Sequence, residues 1–251
     1  MTMRNDGLMG LFVGISRSGK STPIKVFIEK TNRLLIWDAK NEYGPVFNLT
    51  IIRSLPELLD ALRNCKGAGR FAYVPSGYNR KEFDSFCRLA HTWNRQKEAV
   101  IVIEELAAVT NAGKAAGYWG VLVNQSLGLG ATLLATVQRG QEVDKSIMNN
   151  ATYLYVCQHN TDDDARYMAN KIGVNVSLVP RVPMQFLIWS PSRGLILQGK
   201  VEYRADGKLV TANSPSSLKK NAKPVFYRAG PERKKIKPAT RIGLFHGLRY
   251  R

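Results

Sequence analysis

Nine consecutive residues, GISRSGKST at 14–22, restrict this chain more than any others. They contain Gly14-x4-Gly19-Lys20-Ser21, a full match to GxxxxGK[ST]. Each position answers a chemical need. The glycines let the backbone wrap until its amides face phosphate oxygens. The helix that follows adds its N-terminal amides and dipole. Lys20 is expected to reach the β and γ phosphates and Ser21 to hold Mg²⁺. Such a loop works only between a strand and a helix. Here an apolar strand, Leu8–Val13, precedes it, and a helical PIKVFIEK follows, with Pro23 tolerated in the first turn. The expected nucleotide contacts are Gly14, Ser16, Arg17, Ser18, Gly19, Lys20, Ser21 and Thr22, with ATP and Mg²⁺ as ligands. The alternative is a plain Gly/Ser turn before a helix.

Beyond the loop, short apolar strands alternate with amphipathic helices. RLLIW (33–37), FAYV (71–74), AVIVI (99–103), ATLLATV (131–137) and ATYLYVC (151–157) read as strands. Ser54 caps a helix over LPELLDALRN, and Phe83, Phe86, Cys87, Ala90 and Trp93 share one face of a helix within 79–94. Tyr118–Leu127 reads as a helix, and Asp162–Ile172 as another that stops at Gly173. This alternation predicts an α/β fold with a mostly parallel sheet and helices on both faces. From Met184 the pattern changes to antiparallel hairpin strands (MQFLIWS, LILQGKVEYR, ADGKLV). The expected division is a P-loop domain over 1–213, carrying a β-hairpin extension at about 182–211, and a basic, Pro-interrupted tail over 214–251.

Two buried strands deliver polar residues at their C-terminal ends, where open α/β sheets bind ligands. AVIVI ends in Glu104 and Glu105; Glu105 is the expected general base, and Glu104 the expected metal ligand, direct or through a water. Glu104 stands where Asp is usual and is one methylene longer. ATLLATV ends in Gln138 and Arg139, and the Gln138 amide could hold the attacking water or sense the γ-phosphate. Asp38 closes the RLLIW strand; it either contacts the nucleotide site or caps its own loop. Lys40 and Glu42 are expected to face a neighbour or DNA.

The chain carries 37 Lys and Arg against 19 Asp and Glu, a formal charge of +18. That excess predicts a polyanionic partner. The tail holds much of it: only Glu232 opposes its Lys and Arg residues. Phe226, Tyr227, Phe245 and Tyr250 there either stack on bases or anchor the tail, and an anionic membrane face is a third option. Cys65, Cys87 and Cys157 form no CxxC pair, and His91, His159 and His246 are scattered, which argues against a disulfide framework or a metal centre. No apolar run approaches the roughly 20 residues of a membrane span, and MTMRNDGLMG lacks the apolar core of a signal peptide.

The ordered set GISRSGKST, WDAKNEYG, FAYVP, AVIVIEE and LLATVQRGQEVDKSIMNNATYLYVCQH, within residues 8–200, resembles the FtsK–HerA superfamily of P-loop ATPases. Its small single-domain form is similar to the genome-packaging ATPases of tailless, membrane-containing icosahedral double-stranded DNA viruses. The resemblance implies an ASCE/RecA-like core with strand order 5-1-4-3-2, the Gln138 strand lying between the cradle strand and the Glu105 strand. It implies a homo-oligomeric ring, a hexamer, with double-stranded DNA in the channel and ATP at subunit boundaries. A capsid vertex or portal and viral inner-membrane proteins would be further partners, in host cytoplasm and virion. Such a ring needs an arginine from a neighbouring subunit, yet no basic residue lies between Lys114 and Arg139. Arg139 is the first candidate finger and Lys114 the second, with Arg17 able to reach across. Filamentous-phage assembly ATPases, P-loop small-molecule kinases and a non-catalytic DNA-binding module are the competing readings.

Overall fold

The computed structural model describes residues 7–192, 194–203, 209–212, 228–229 and 232–233. In chain order the elements are β1 (Leu8–Val13), α1 (Ser21–Ile28), β2 (Arg33–Trp37), α2 (Gly44–Phe47), β3 (Thr50–Ile52), α3 (Leu55–Asn64), β4 (Gly69–Tyr73), α4 (Arg80–Gln96) and β5 (Val100–Ile103). Then come α5 (Gly117–Val121), β6 (Thr132–Val137), α6 (Lys145–Asn150), β7 (Tyr153–Val156), α7 (Asp162–Ile172), β8 (Gln185–Ser190), β9 (Gly194–Tyr203) and β10 (Leu209–Ala212). Arg228–Ala229 and Glu232–Arg233, β11 and β12, pair as a separate antiparallel ladder. The rest of the expected basic tail, and the 213/214 boundary itself, lie outside the described residues.

One ten-stranded sheet runs β10-β9-β8-β7-β1-β6-β5-β2-β4-β3. Its middle, β7-β1-β6-β5-β2, is parallel, and β6 lies between the cradle strand β1 and the Glu104–Glu105 strand β5. Two further parallel strands, β4 and β3, extend one edge. The hairpin from Gln185 onward is a continuation of the sheet rather than an appendage. The free edge of β7 would expose unpaired amides and carbonyls, and β8 covers it antiparallel.

The two sheet faces form two cores. Met9, Leu11 and Val13 pack on one side with α3 to α7, while Phe12 packs on the other with Ile24 and Ile28 of α1 and Tyr43. Strand alternation explains the split. On α4, Phe83, Phe86, Cys87, Ala90 and Trp93 are all buried, as their helical spacing requires. Asn79 caps this helix, its side chain accepting from the amides of Lys81 and Glu82. Ser54 caps α3 and Gly173 ends α7 in the left-handed region.

The expected helix over Tyr118–Leu127 departs from regularity. It is α-helical over Gly117–Val121 and π-helical over Leu122–Ser126. The Asn124 side chain donates to the carbonyl of Gly120 at 2.7 Å, taking the acceptor that an α-helical amide would use.

Candidate active site

The loop 14–20 leaves β1 at the C-terminal end of the sheet and enters α1. Gly14 (φ 156°) lies so close to Cys157 that a Cβ would sit 2.7 Å from its Cβ. Gly19 (φ 93°) is in the left-handed region, and a Cβ there would sit 2.9 Å from the Met184 sulfur. Both positions therefore exclude a side chain. The amides of Ser16, Arg17, Gly19 and Lys20 meet no backbone carbonyl among the described residues. The Ser18 hydroxyl is buried without a hydrogen-bond partner. Lys20 is buried and its Nζ donates to the Ile15 carbonyl at 3.3 Å, inside the loop. The loop is thus a nest of unspent donors with a cation at its centre, suited to phosphate.

The loop is also braced by the segment that leads into β8. The Met184 amide donates to the Ser18 carbonyl at 3.2 Å, and the Met184 carbonyl accepts from Val201 at 2.7 Å. Met184 adopts φ 66° to make both contacts. The β8–β9 hairpin therefore supports the phosphate cradle.

Glu104 and Glu105 stand together at the end of β5, both buried. Glu105 takes the left-handed conformation (φ 55°), which turns the two carboxylates into separate surroundings. Glu104 is held by three hydroxyls. Ser21 donates to its Oε1 at 3.1 Å, the Tyr43 hydroxyl donates to the same oxygen, and Thr136 donates to Oε2 at 2.7 Å. Glu105 is held by a cation and an amide. Lys40 Nζ lies 2.6 Å from Oε1, and Gln138 Nε2 donates to Oε2 at 3.0 Å. The Glu105 amide donates to Thr136 Oγ1 at 3.0 Å, so one threonine touches both residues. Burial alone would raise the Glu105 carboxyl. The hydrogen bonds from Lys40 and Gln138, with the charges of Lys40 and Lys20, outweigh it and hold that carboxyl below its ordinary range. The hydrogen bond to Glu105 raises Lys40 in turn, against its own partial burial.

The Asp38 loop accounts for both environments. Asp38 is fully buried, and its oxygens accept from the amides of Glu42 (2.8 Å), Tyr43 (2.9 Å) and Gly44 (3.2 Å). Of the two readings open from sequence, its geometry is that of a loop cap rather than a nucleotide contact. The loop it ties presents Lys40 to Glu105 and Tyr43 to Glu104. Lys40, expected to face a neighbour or DNA, pairs within the chain with Glu105 and keeps part of its side chain exposed. Glu42 is exposed, 3.8 Å from Lys25.

The three candidate fingers are spread out. Arg139 Nε lies 2.9 Å from Asp164 and its Nη1 3.0 Å from Glu142, both of its own chain. Arg17 and Lys114 are exposed on loops, and Thr22 starts α1 beside Ser21. Sequence reading missed Tyr43 and Thr136. Thr136 left a trace, a polar residue breaking the apolar run TLLATV; Tyr43 left none.

The residues present suit a hard divalent cation. Ser21 Oγ and a Glu104 carboxylate that, among the described residues, no cationic side chain hydrogen-bonds are adjacent, and both are oxygen donors.

Parallel order, cradle, paired carboxylates and a polar residue after the intervening strand together define the class: the fold is that of a P-loop nucleotide-binding α/β protein. No protein-family model matches the chain. Among known proteins it is similar to Protein P9 of Pseudoalteromonas phage PM2, 29% identical over 168 residues, 66% of this chain and 75% of that protein. Its fold is similar to B204, the DNA-packaging ATPase from Sulfolobus turreted icosahedral virus, with a TM-score of 0.62 and 16% identity over 78% of this chain and 97% of that one. It is likewise similar to the genome-packaging NTPase B204 from Sulfolobus turreted icosahedral virus 2 in complex with ATP-gammaS, with a TM-score of 0.61 and 14% identity over 84% and 98%.

Proposed function

We propose that this chain is an ATP-hydrolysing motor that drives double-stranded DNA into a viral capsid. The observation that carries the reading is the convergence, at the C-terminal ends of the central strands β1, β5 and β6, of a pre-formed phosphate cradle with Glu104, Glu105 and Gln138. Lys20 and the loop amides bind the triphosphate and offset charge that develops on it. Glu105 accepts a proton from the attacking water, and Gln138 orients that water. Mg²⁺, held by Ser21 and Glu104, would screen the phosphate oxygens and polarise the bond to be broken. In the arrangement described, Lys40 and Gln138 each donate to one Glu105 oxygen, and the remaining lone pairs of the carboxylate are available to the water.

The remaining assignments belong to the same proposal and rest on the family resemblance of the sequence. The working unit is a homo-oligomeric ring, a hexamer, around duplex DNA, docked at a capsid vertex beside inner-membrane proteins, in host cytoplasm and virion. No described helix is long and apolar enough to cross a membrane. A P-loop domain to residue 213 with a separate basic tail remains the proposed division. Arg139 becomes a usable finger only if its pairs with Asp164 and Glu142 break. The test is ATP turnover by purified protein with and without duplex DNA. The reading expects turnover that rises with DNA and disappears in Lys20→Ala; normal hydrolysis by Lys20→Ala contradicts it.

A further inference from the structure

The loop that begins at Glu105 runs over residues 106–116 and ends against α4 and α6. Hydrogen bonds join these pieces into one surface. Arg80 Nη2 lies 3.5 Å from the Thr110 carbonyl. The Lys145 amide donates to Gly113 O at 2.8 Å, and the Ala115 amide to Ser146 Oγ at 3.0 Å. The Tyr118 amide donates to Asp84 at 2.6 Å, and the Arg88 guanidinium lies over the Tyr118 ring.

The charges on this surface are sorted by direction. Its carboxylates are spent on internal donors: Glu82 on the Tyr73 hydroxyl, Asp84 on the Tyr118 amide, Asp144 on the Trp119 indole and the Ile147 amide. Its cations Arg80, Lys81, Arg88, Lys114 and Lys145 are exposed, and none forms an ion pair among the described residues. Tyr78 and Tyr118 are exposed among them. Lys81 and Arg88 are seven residues apart on α4, two turns or about 10 Å along one face. An outward layer of cations and tyrosines over internally satisfied acids is complementary to a phosphate backbone, without base readout.

We propose that this surface, formed by the start of α4, the loop 106–116 and the start of α6, grips the backbone of duplex DNA. The inference rests on the motor reading and gives that motor its contact face within the described residues. Because the loop begins at Glu105, DNA on its outer end also bears on the carboxylate that Lys40 and Gln138 hold.

The test is binding of fluorescent duplex DNA by the full chain across a salt series, with ATP turnover measured separately. Replacing Lys81, Arg88 and Lys145 together by Gln should lower the slope of log affinity against log salt by about 3, nearly one per phosphate contact. Affinity at low salt should weaken at least about tenfold, DNA stimulation of turnover should be lost, and basal turnover should persist. The double variant Lys81→Gln/Lys145→Gln keeps the Arg88–Tyr118 contact and should lower the slope by about 2. Unchanged slope and affinity in both variants would overturn the proposal and move the grip elsewhere on the chain. So would unchanged DNA binding with lost adhesion to phosphatidylglycerol vesicles, since the surface would then face a membrane. Absence of basal turnover in the unmodified protein would instead count against the motor reading, leaving the binding result to decide this one.

Discussion

Glu104 and Glu105 are neighbours in sequence and buried to a similar degree, yet they occupy opposite kinds of surroundings. Glu104 meets neutral hydroxyls from Ser21, Tyr43 and Thr136. Glu105 meets a lysine and an amide. Neutral donors fix a carboxylate without cancelling its charge, which leaves it able to attract a cation. A lysine cancels the charge and keeps the carboxyl ionised in a buried place. The difference comes from one backbone feature, the left-handed Glu105, and from one loop, tied by Asp38, that sends Tyr43 and Lys40 to different carboxylates. In the proposed mechanism these separate surroundings give similar side chains separate tasks, one toward metal and one toward water.

The sharpest way to break this contrast is Glu105→Gln. It should lower turnover roughly 100- to 10,000-fold, as loss of a general base does, while ATP binding measured by fluorescence persists. Thr136→Val should act chiefly through the other corner, while also removing the acceptor of the Glu105 amide. It removes a bond to Glu104 and should weaken Mg²⁺ affinity about 10-fold, read from Mg²⁺-dependent nucleotide binding. Lys40→Met addresses the pH dependence. A base works only when ionised, and Lys40 lowers the Glu105 pKa; without it that pKa rises, so the acid limb of the pH–rate profile should move to higher pH. An unmoved limb would show that Lys40 does not set the ionisation of the base. The smallest effect belongs to Tyr43→Phe, which removes one hydroxyl from a buried carboxylate that keeps two others. Thermal or denaturant unfolding should show a loss of about 1–2 kcal/mol.

The parts of this arrangement that sequence made legible are local. The glycine spacing of the cradle, the apolar face of α4, the Ser54 cap and the Gly173 stop each depend on residues within a few positions of one another. Glu104, Glu105 and Gln138 were legible because buried strands end in polar residues. Lys40 and Tyr43 were not, because their roles depend on where a loop after β2 lands relative to β5, a contact across about 60 positions. β3 and α6 were too short to show a period. The hairpin from Gln185 was legible as strands, but its place on the edge of β7 and the Met184 brace on Ser18 are long-range facts with no local signature. Asn124 shows the converse: a local helix pattern was right in outline, and its second half is π-helical where the Asn124 side chain bonds the Gly120 carbonyl.

The central claim is the division of labour between the two carboxylates, and one measurement bears on it directly: binding of a fluorescent ATP analogue across a Mg²⁺ titration, compared between Glu104→Gln and Glu105→Gln. The account predicts that Glu104→Gln shifts the Mg²⁺ requirement to higher concentration while Glu105→Gln leaves it where the unmodified protein has it. Equal shifts in both variants, or a shift confined to Glu105→Gln, would contradict it.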